Sequence, residues 1–185
     1  ALAKRAFVKV SETVYALPRK TVFPQTAAWQ HAARSMAAHG RPWLWLEADC
    51  VPLKANWLLT MQAEYDRCGK PFCGPVMPVR EHCNGTAIYP ANTPQLLPRT
   101  MSHTNNAWDC EMKDEMMHLC HDCSRLWQCA WGVVRGQLNP IEGEELPGFP
   151  RGSAIINQIR PDAVLFHRDK SGTLIDRLRE RLKNV

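Results

Sequence analysis

Glu47 and Asp49 stand one residue apart, directly after the apolar run Trp43-Leu44-Trp45-Leu46 and before Cys50-Val51-Pro52-Leu53. If that run is a buried strand, residues two apart point to the same side, roughly 6.5 Å apart along the chain. Both carboxylates would then project from the strand's C-terminal end, where open α/β sheets bind ligands. Two acids held together repel, and burying their charge is costly. A divalent cation relieves both problems. Hard oxygen ligands suit Mn²⁺ or Mg²⁺, with waters and substrate phosphates completing the shell. The pair therefore points to a metal-bridged diphosphate. The same spacing also fits a plainer arrangement, with Glu47 bonded to backbone or an arginine and Asp49 capping the turn before Pro52.

A second concentration of ligand-type residues runs from His118 through Cys120, His121 and Cys123 to Cys129. Cys120 and Cys123 have zinc-ligand spacing, but a closed zinc site needs a second pair. Cys110 or Cys129 would have to supply it. The eight cysteines are irregularly spaced, and several fall within apolar patterns. The expectation is reduced, buried thiols in a cytosolic setting rather than a disulfide framework.

The elements that must position these groups alternate between helix and strand. Thr26 is placed to cap a helix reaching about His39, ended by Gly40. Trp43–Leu46 reads as a strand buried on both faces, the habit of a mostly parallel sheet. Asn56 is placed to cap a helix from Trp57 to about Arg67, closed near Gly69. Phe72–Val79, Thr86–Tyr89 and Ala163–Phe166 read as strands, Asp109–Leu119 as a helix, and Leu174–Leu182 as a basic helix. Ala6–Val14 is strand or irregular. The Gly- and Pro-rich stretch 135–152 reads as a loop. The order implies one α/β domain over residues 1–185.

The segment LWLEADCVPL, followed by NWLLTMQAEY, resembles the acid-x-acid segment of GT-A glycosyltransferases. It is most similar to a bacterial and phage group carrying Leu-Trp-Leu-Glu-x-Asp-Cys-x-Pro-Leu. Further matches follow in order: EHCNGTAIYP (81–90), AWDCEM (107–112) and AVLFHRDKSGTLI (163–175). The resemblance implies a Rossmann-like, mixed and mostly parallel GT-A sheet flanked by helices. Only 46 residues precede Glu47, so the first nucleotide-binding strand and helix of that fold would be reduced or outside the sequence.

The resemblance also implies roles. Asp49 would bind Mn²⁺ or Mg²⁺, with His167 as a further metal ligand and Glu47 reaching the donor ribose or a metal-bound water. Arg168 and Lys170 would neutralise charge on the departing nucleoside diphosphate. Asp109, with Glu111 in reserve, would take the acceptor proton in an inverting reaction. The Asn84-Gly85 turn would approach the donor sugar, while His82 and Trp108 would contact the acceptor. The implied donor is a nucleotide sugar, a UDP-sugar first.

The acceptor is open on the sequence alone. The net charge is +5, with seven Lys or Arg against Glu12 in residues 1–42 and six bases against three acids from Arg168 onward. Basic ends around an acidic site suit a polyanion, and Trp108, Trp127 and Trp131 are candidates for stacking bases. DNA carrying 5-hydroxymethylpyrimidine is the acceptor expected; a glycan or protein acceptor and a non-catalytic nucleic-acid-binding module are the alternatives. No run approaches the roughly 20 apolar residues of a membrane helix, so a cytoplasmic protein without a membrane partner is expected.

Overall fold

The computed structural model describes residues 23–77, 82–102, 105–129, 131–134, 137–140, 160–167 and 175–176. The expected strand at Ala6–Val14 and most of the expected helix Leu174–Leu182 lie outside these residues, as do Arg168 and Lys170.

Helix α1 spans Pro24–His39. It begins two residues before the expected Thr26 cap, because proline's fixed φ suits the first helical turn. Thr26 is instead buried within the helix, and its Oγ1 donates to the Asn106 carbonyl at 2.8 Å. Gln30 Nε2 donates to Thr100 O and Arg34 Nη2 to Met101 O, which fastens α1 along the segment 100–106. Helix α2 spans Trp57–Cys68 and follows Asn56, though Asn56 makes no side-chain capping bond. Both helices end on a left-handed glycine, Gly40 at φ 64° and Gly69 at φ 65°, a conformation that costs a residue with a Cβ more.

The strands are short: β1 Trp43–Leu44, β2 Cys50–Pro52, β3 Phe72–Gly74, β4 Val76–Met77, β5 His82–Cys83, β6 Ile88–Tyr89, β7 Cys120–Asp122, β8 Trp127–Cys129, β9 Trp131–Val134, β10 Gln137–Pro140 and β11 Leu165–His167. They form a four-stranded sheet ordered β1-β6-β3-β7, a three-stranded sheet ordered β2-β11-β8, and the pairs β4-β5 and β10-β9. Among the described residues only β3–β7 and β11–β8 run parallel; the other ladders are antiparallel. The molecule is thus mixed α/β with small mixed sheets. This corrects the expectation of a mostly parallel sheet. An apolar run reports burial on both faces but not strand direction, because pairing is set by distant partners.

Two expected elements divide. The strand at 72–79 breaks at Pro75, which has no N–H to donate to a ladder. The helix at 109–119 becomes α5 Trp108–Glu111, α6 Lys113–Met116 and a 3-10 turn Met117–Leu119, preceded by the short helices α3 Thr93–Leu96 and α4 Pro98–Ser102. Within the expected loop 135–152, residues 137–140 are strand β10, paired to β9. No described helix is long and apolar enough to cross a membrane.

Alternation along the strands sorts neighbours into two cores. Trp43, Phe72 and Tyr89 join Trp29, Leu97, Trp108, Met112 and Met116 on one side. Cys73 and Ile88, with Leu44 packed against them, join Met61, Leu126, Trp127, Val164 and Leu165 on the other. Trp43, Leu44 and Trp45 therefore feed the two cores in turn, while Leu46 is exposed, which corrects the expectation of a strand buried on both faces through Leu46.

Candidate functional site

The chain leaves β1 after Leu44, and one further bond, Trp45 N–H to Ala87 O at 3.0 Å, prolongs the pairing. Glu47 opens a turn closed by the Cys50 N–H donating to Glu47 O at 3.1 Å. Glu47 and Asp49 therefore lie in a turn and not on a strand. The pleat alternation expected to align the two carboxylates is therefore absent, and the two acids are related through a third residue rather than through each other.

The partner comes from the far end of the sequence. β2 pairs antiparallel with β11, placing Cys50 opposite His167. Leu53 N–H donates to Val164 O, and Lys54 Nζ reaches Pro161 O, which fix that register. His167 Nε2 then lies 3.3 Å from Glu47 Oε2 and 3.5 Å from Asp49 Oδ1, 120 residues from Glu47 in sequence. The His167 side chain is 4% exposed, Asp49 11% and Glu47 32%, so the group is closed beneath and open toward Glu47. The Cys50 thiol lies within 4.8 Å of the Asp49 and His167 ligand atoms. Burial first, and then the Asp49 charge, push its pKa up to about 12.

The Cys50 thiol also lies beside the Thr86 hydroxyl, which brings in the Asn84–Thr86 turn. That turn is held from within. Asn84 Oδ1 accepts from the Thr86 N–H at 2.9 Å, and Asn84 N–H donates to Pro75 O at 2.8 Å. Tyr89 Oη donates to Gly85 O at 2.6 Å. Burial raises the Tyr89 phenol well above its ordinary pKa, which keeps it a donor. A Cβ on Gly85 would sit 2.5 Å from the Trp108 ring. The glycine is thus required by the tryptophan against it.

Trp108 is 4% exposed. Its ring stacks on Trp29 at 6.3 Å and meets Trp45 edge-on at 6.0 Å. This corrects the expectation that Trp108 offers a face to an acceptor: the ring is spent on the core. Trp127, 1% exposed, is buried likewise. Asp109 and Cys110, next in α5, face His82 of β5, with His82 Nε2 at 3.8 Å from Asp109 Oδ2. Glu111 lies about 200° further round the helical turn from Asp109, and the group gathered at His82 comprises Asp109 and Cys110.

The remaining cluster separates. Cys120 Sγ lies 3.0 Å from Cys83 Sγ, while Cys123 meets Cys73. Cys120 packs against one core and Cys123 belongs to the other, so the Cys120-x-x-Cys123 spacing does not converge on a zinc ion. The described cysteines are free thiols; the side chains of Cys129 and Trp131 lie outside the described residues.

Sequence reasoning missed Glu64. It is buried in α2, with His121 Nε2 at 2.8 Å and both Arg67 and Arg125 at 2.5 Å. Its signal was an acid three residues after Met61 on the buried stripe of α2.

No family model, curated protein or solved structure matches this chain.

Proposed function

We propose that the protein is a metal-dependent glycosyltransferase with a GT-A-type domain, moving a sugar from a nucleotide-sugar donor, a UDP-sugar first, to a hydroxyl acceptor. The observation that carries this reading is the meeting of Glu47 and Asp49 with His167 across 120 residues of chain. The resemblance of the same segments to the GT-A acid-x-acid and terminal histidine motifs supports it.

The donor set fits a hard or borderline divalent cation. Two ligands about 2.1 Å from one ion stand about 3.0–3.4 Å apart, and the Glu47–His167 and Asp49–His167 separations are 3.3 and 3.5 Å. Asp49 and His167 would hold Mn²⁺ or Mg²⁺ directly, with Glu47 at the open side toward the donor ribose or a metal-bound water. Such an ion supplies charge stabilisation for the departing diphosphate. The chain's own residues do the rest. β2 and β11 fix the imidazole against Asp49, and the buried turn at Asn84 closes the neighbouring wall. Asp109, beside His82, is the group assigned to take the acceptor proton.

For the acceptor, the basic ends favour DNA bearing 5-hydroxymethylpyrimidine. The test is incubation with nucleotide sugars, Mn²⁺ and hydroxymethylcytosine DNA. Nucleoside diphosphate release reports donor turnover, and mass spectrometry of the nucleosides reports transfer. Cation-dependent release with a sugar added to the modified base is the expected result. Release without DNA modification would keep the transferase and discard the DNA acceptor. No turnover of any nucleotide sugar would overturn the reading.

A further inference from the structure

We infer that His82, Asp109 and Cys110 form a second cation site, selective for borderline ions of the Zn²⁺ and Co²⁺ type. The site goes beyond the transferase reading and does not rest on it.

Each of the three residues offers one ligand atom, and the three atoms lie within 4.8 Å of one another. His82 Nε2 and Asp109 Oδ2 are 3.8 Å apart, too far for a hydrogen bond. That is close to the separation of two ligands on one tetrahedral ion, about 3.3–3.6 Å with bonds of about 2.0–2.3 Å. A contraction of a few tenths of an ångström brings the nitrogen and the oxygen onto a common centre. One imidazole, one carboxylate and one thiol suit zinc or cobalt better than Mg²⁺, whose shell is all oxygen.

The framework is prepared. α5 packs on β5, and the Trp108 ring is locked against Gly85 and Trp29, so neither side of the site needs to move far. The His82 side chain is 8% exposed and Asp109 25%. The imidazole is therefore buried, while the more open Asp109 side admits an ion and leaves room for a water or hydroxyl as fourth ligand. Asp109 Oδ2 bound to an ion is not free to take a proton, so the base role assigned to Asp109 above belongs to the ion-free state.

The test is titration of the full, reduced, chelator-stripped chain with Co²⁺, followed by absorption. The expected result is a near-ultraviolet thiolate-to-cobalt band with visible bands of tetrahedral intensity. Cys110→Ser removes the near-ultraviolet band, and Asp109→Asn weakens Co²⁺ binding about tenfold or more. Cys50→Ser and Asp49→Ala leave the band in place, which separates this site from the one at His167. Cys110 is only partly buried, so its serine variant is chosen to retain the fold, checked by circular dichroism. His82→Ala is the harsher second variant. A band that survives Cys110→Ser, one that disappears with Cys50→Ser instead, or no thiolate band at all overturns the inference.

Discussion

At the residue scale, the proposed chemistry concentrates on Asp49 and His167. Asp49 is nearly buried and His167 more so, so neither has the solvent to replace a lost partner. Asp49→Ala is expected to abolish cation-dependent donor turnover, and His167→Ala to reduce it about 10²-fold or more; kcat/KM for nucleoside diphosphate release is the measurement. If both variants keep the parent rate, the site lies elsewhere. Much of this group was legible in the sequence. The acid-x-acid pair after an apolar run is a type-and-spacing signal, whereas His167 entered only through the resemblance to the GT-A terminal histidine segment. Asp49 and His167 do meet. Cys110 was not legible as a partner of His82, because the thiol and the imidazole are brought together only by the packing of α5 on β5.

At the element scale, Glu64 ties α2 to β7 and to the segment after it. Burial alone would raise its pKa, but the bond to His121, then Arg67 and Arg125, outweigh that and hold the carboxyl at about 2. A folded-state pKa below the ordinary 4.5 means that the carboxylate stabilises the fold above about pH 4.5 and loses this contribution as the pH falls toward 2. Glu64→Gln is expected to lower stability by about 1–2 kcal/mol near neutral pH, modest because both guanidiniums are more than half exposed. Urea midpoints of parent and variant should converge as the pH approaches 2; a gap independent of pH would contradict this assignment. Elements were legible where local chemistry dictates them. The Gly40 and Gly69 stops and the α2 start are of that kind. The turn at Glu47 was not, since Trp45 and Leu46 continue the apolar pattern beyond the strand and only the Cys50-to-Glu47 bond reveals the reversal. The division of 109–119 was hidden too, because one helical periodicity suits one long helix or several short ones.

At the scale of the molecule, Phe72 and Cys73 are adjacent in β3 yet belong to opposite cores. One short sheet therefore couples the two sides, and they are expected to unfold together. Phe72→Ala should cost about 3–5 kcal/mol and Leu165→Ala about 2–5 kcal/mol. Each should shift a single thermal transition rather than split it, as calorimetry will show; two separated transitions would mean independent units. Burial was readable from the apolar run at Ala163–Phe166, but at Trp43–Leu46 it ends before the exposed Leu46, and the pairing directions were not readable.

The tryptophans of the first core have a practical consequence. Trp29, Trp43, Trp45 and Trp108 sit in successive ring contacts of 6.0–6.4 Å, and Trp45 is two residues from Glu47. Chromophores this close exchange excitation, so their ultraviolet dichroism and emission belong to the group and not to single rings. The contacts close into a ring of four, and Trp45 is its member nearest in sequence to Glu47. If the proposed cation binds, a change in this shared tryptophan signal on adding Mn²⁺ is the expected optical readout, with nothing attached.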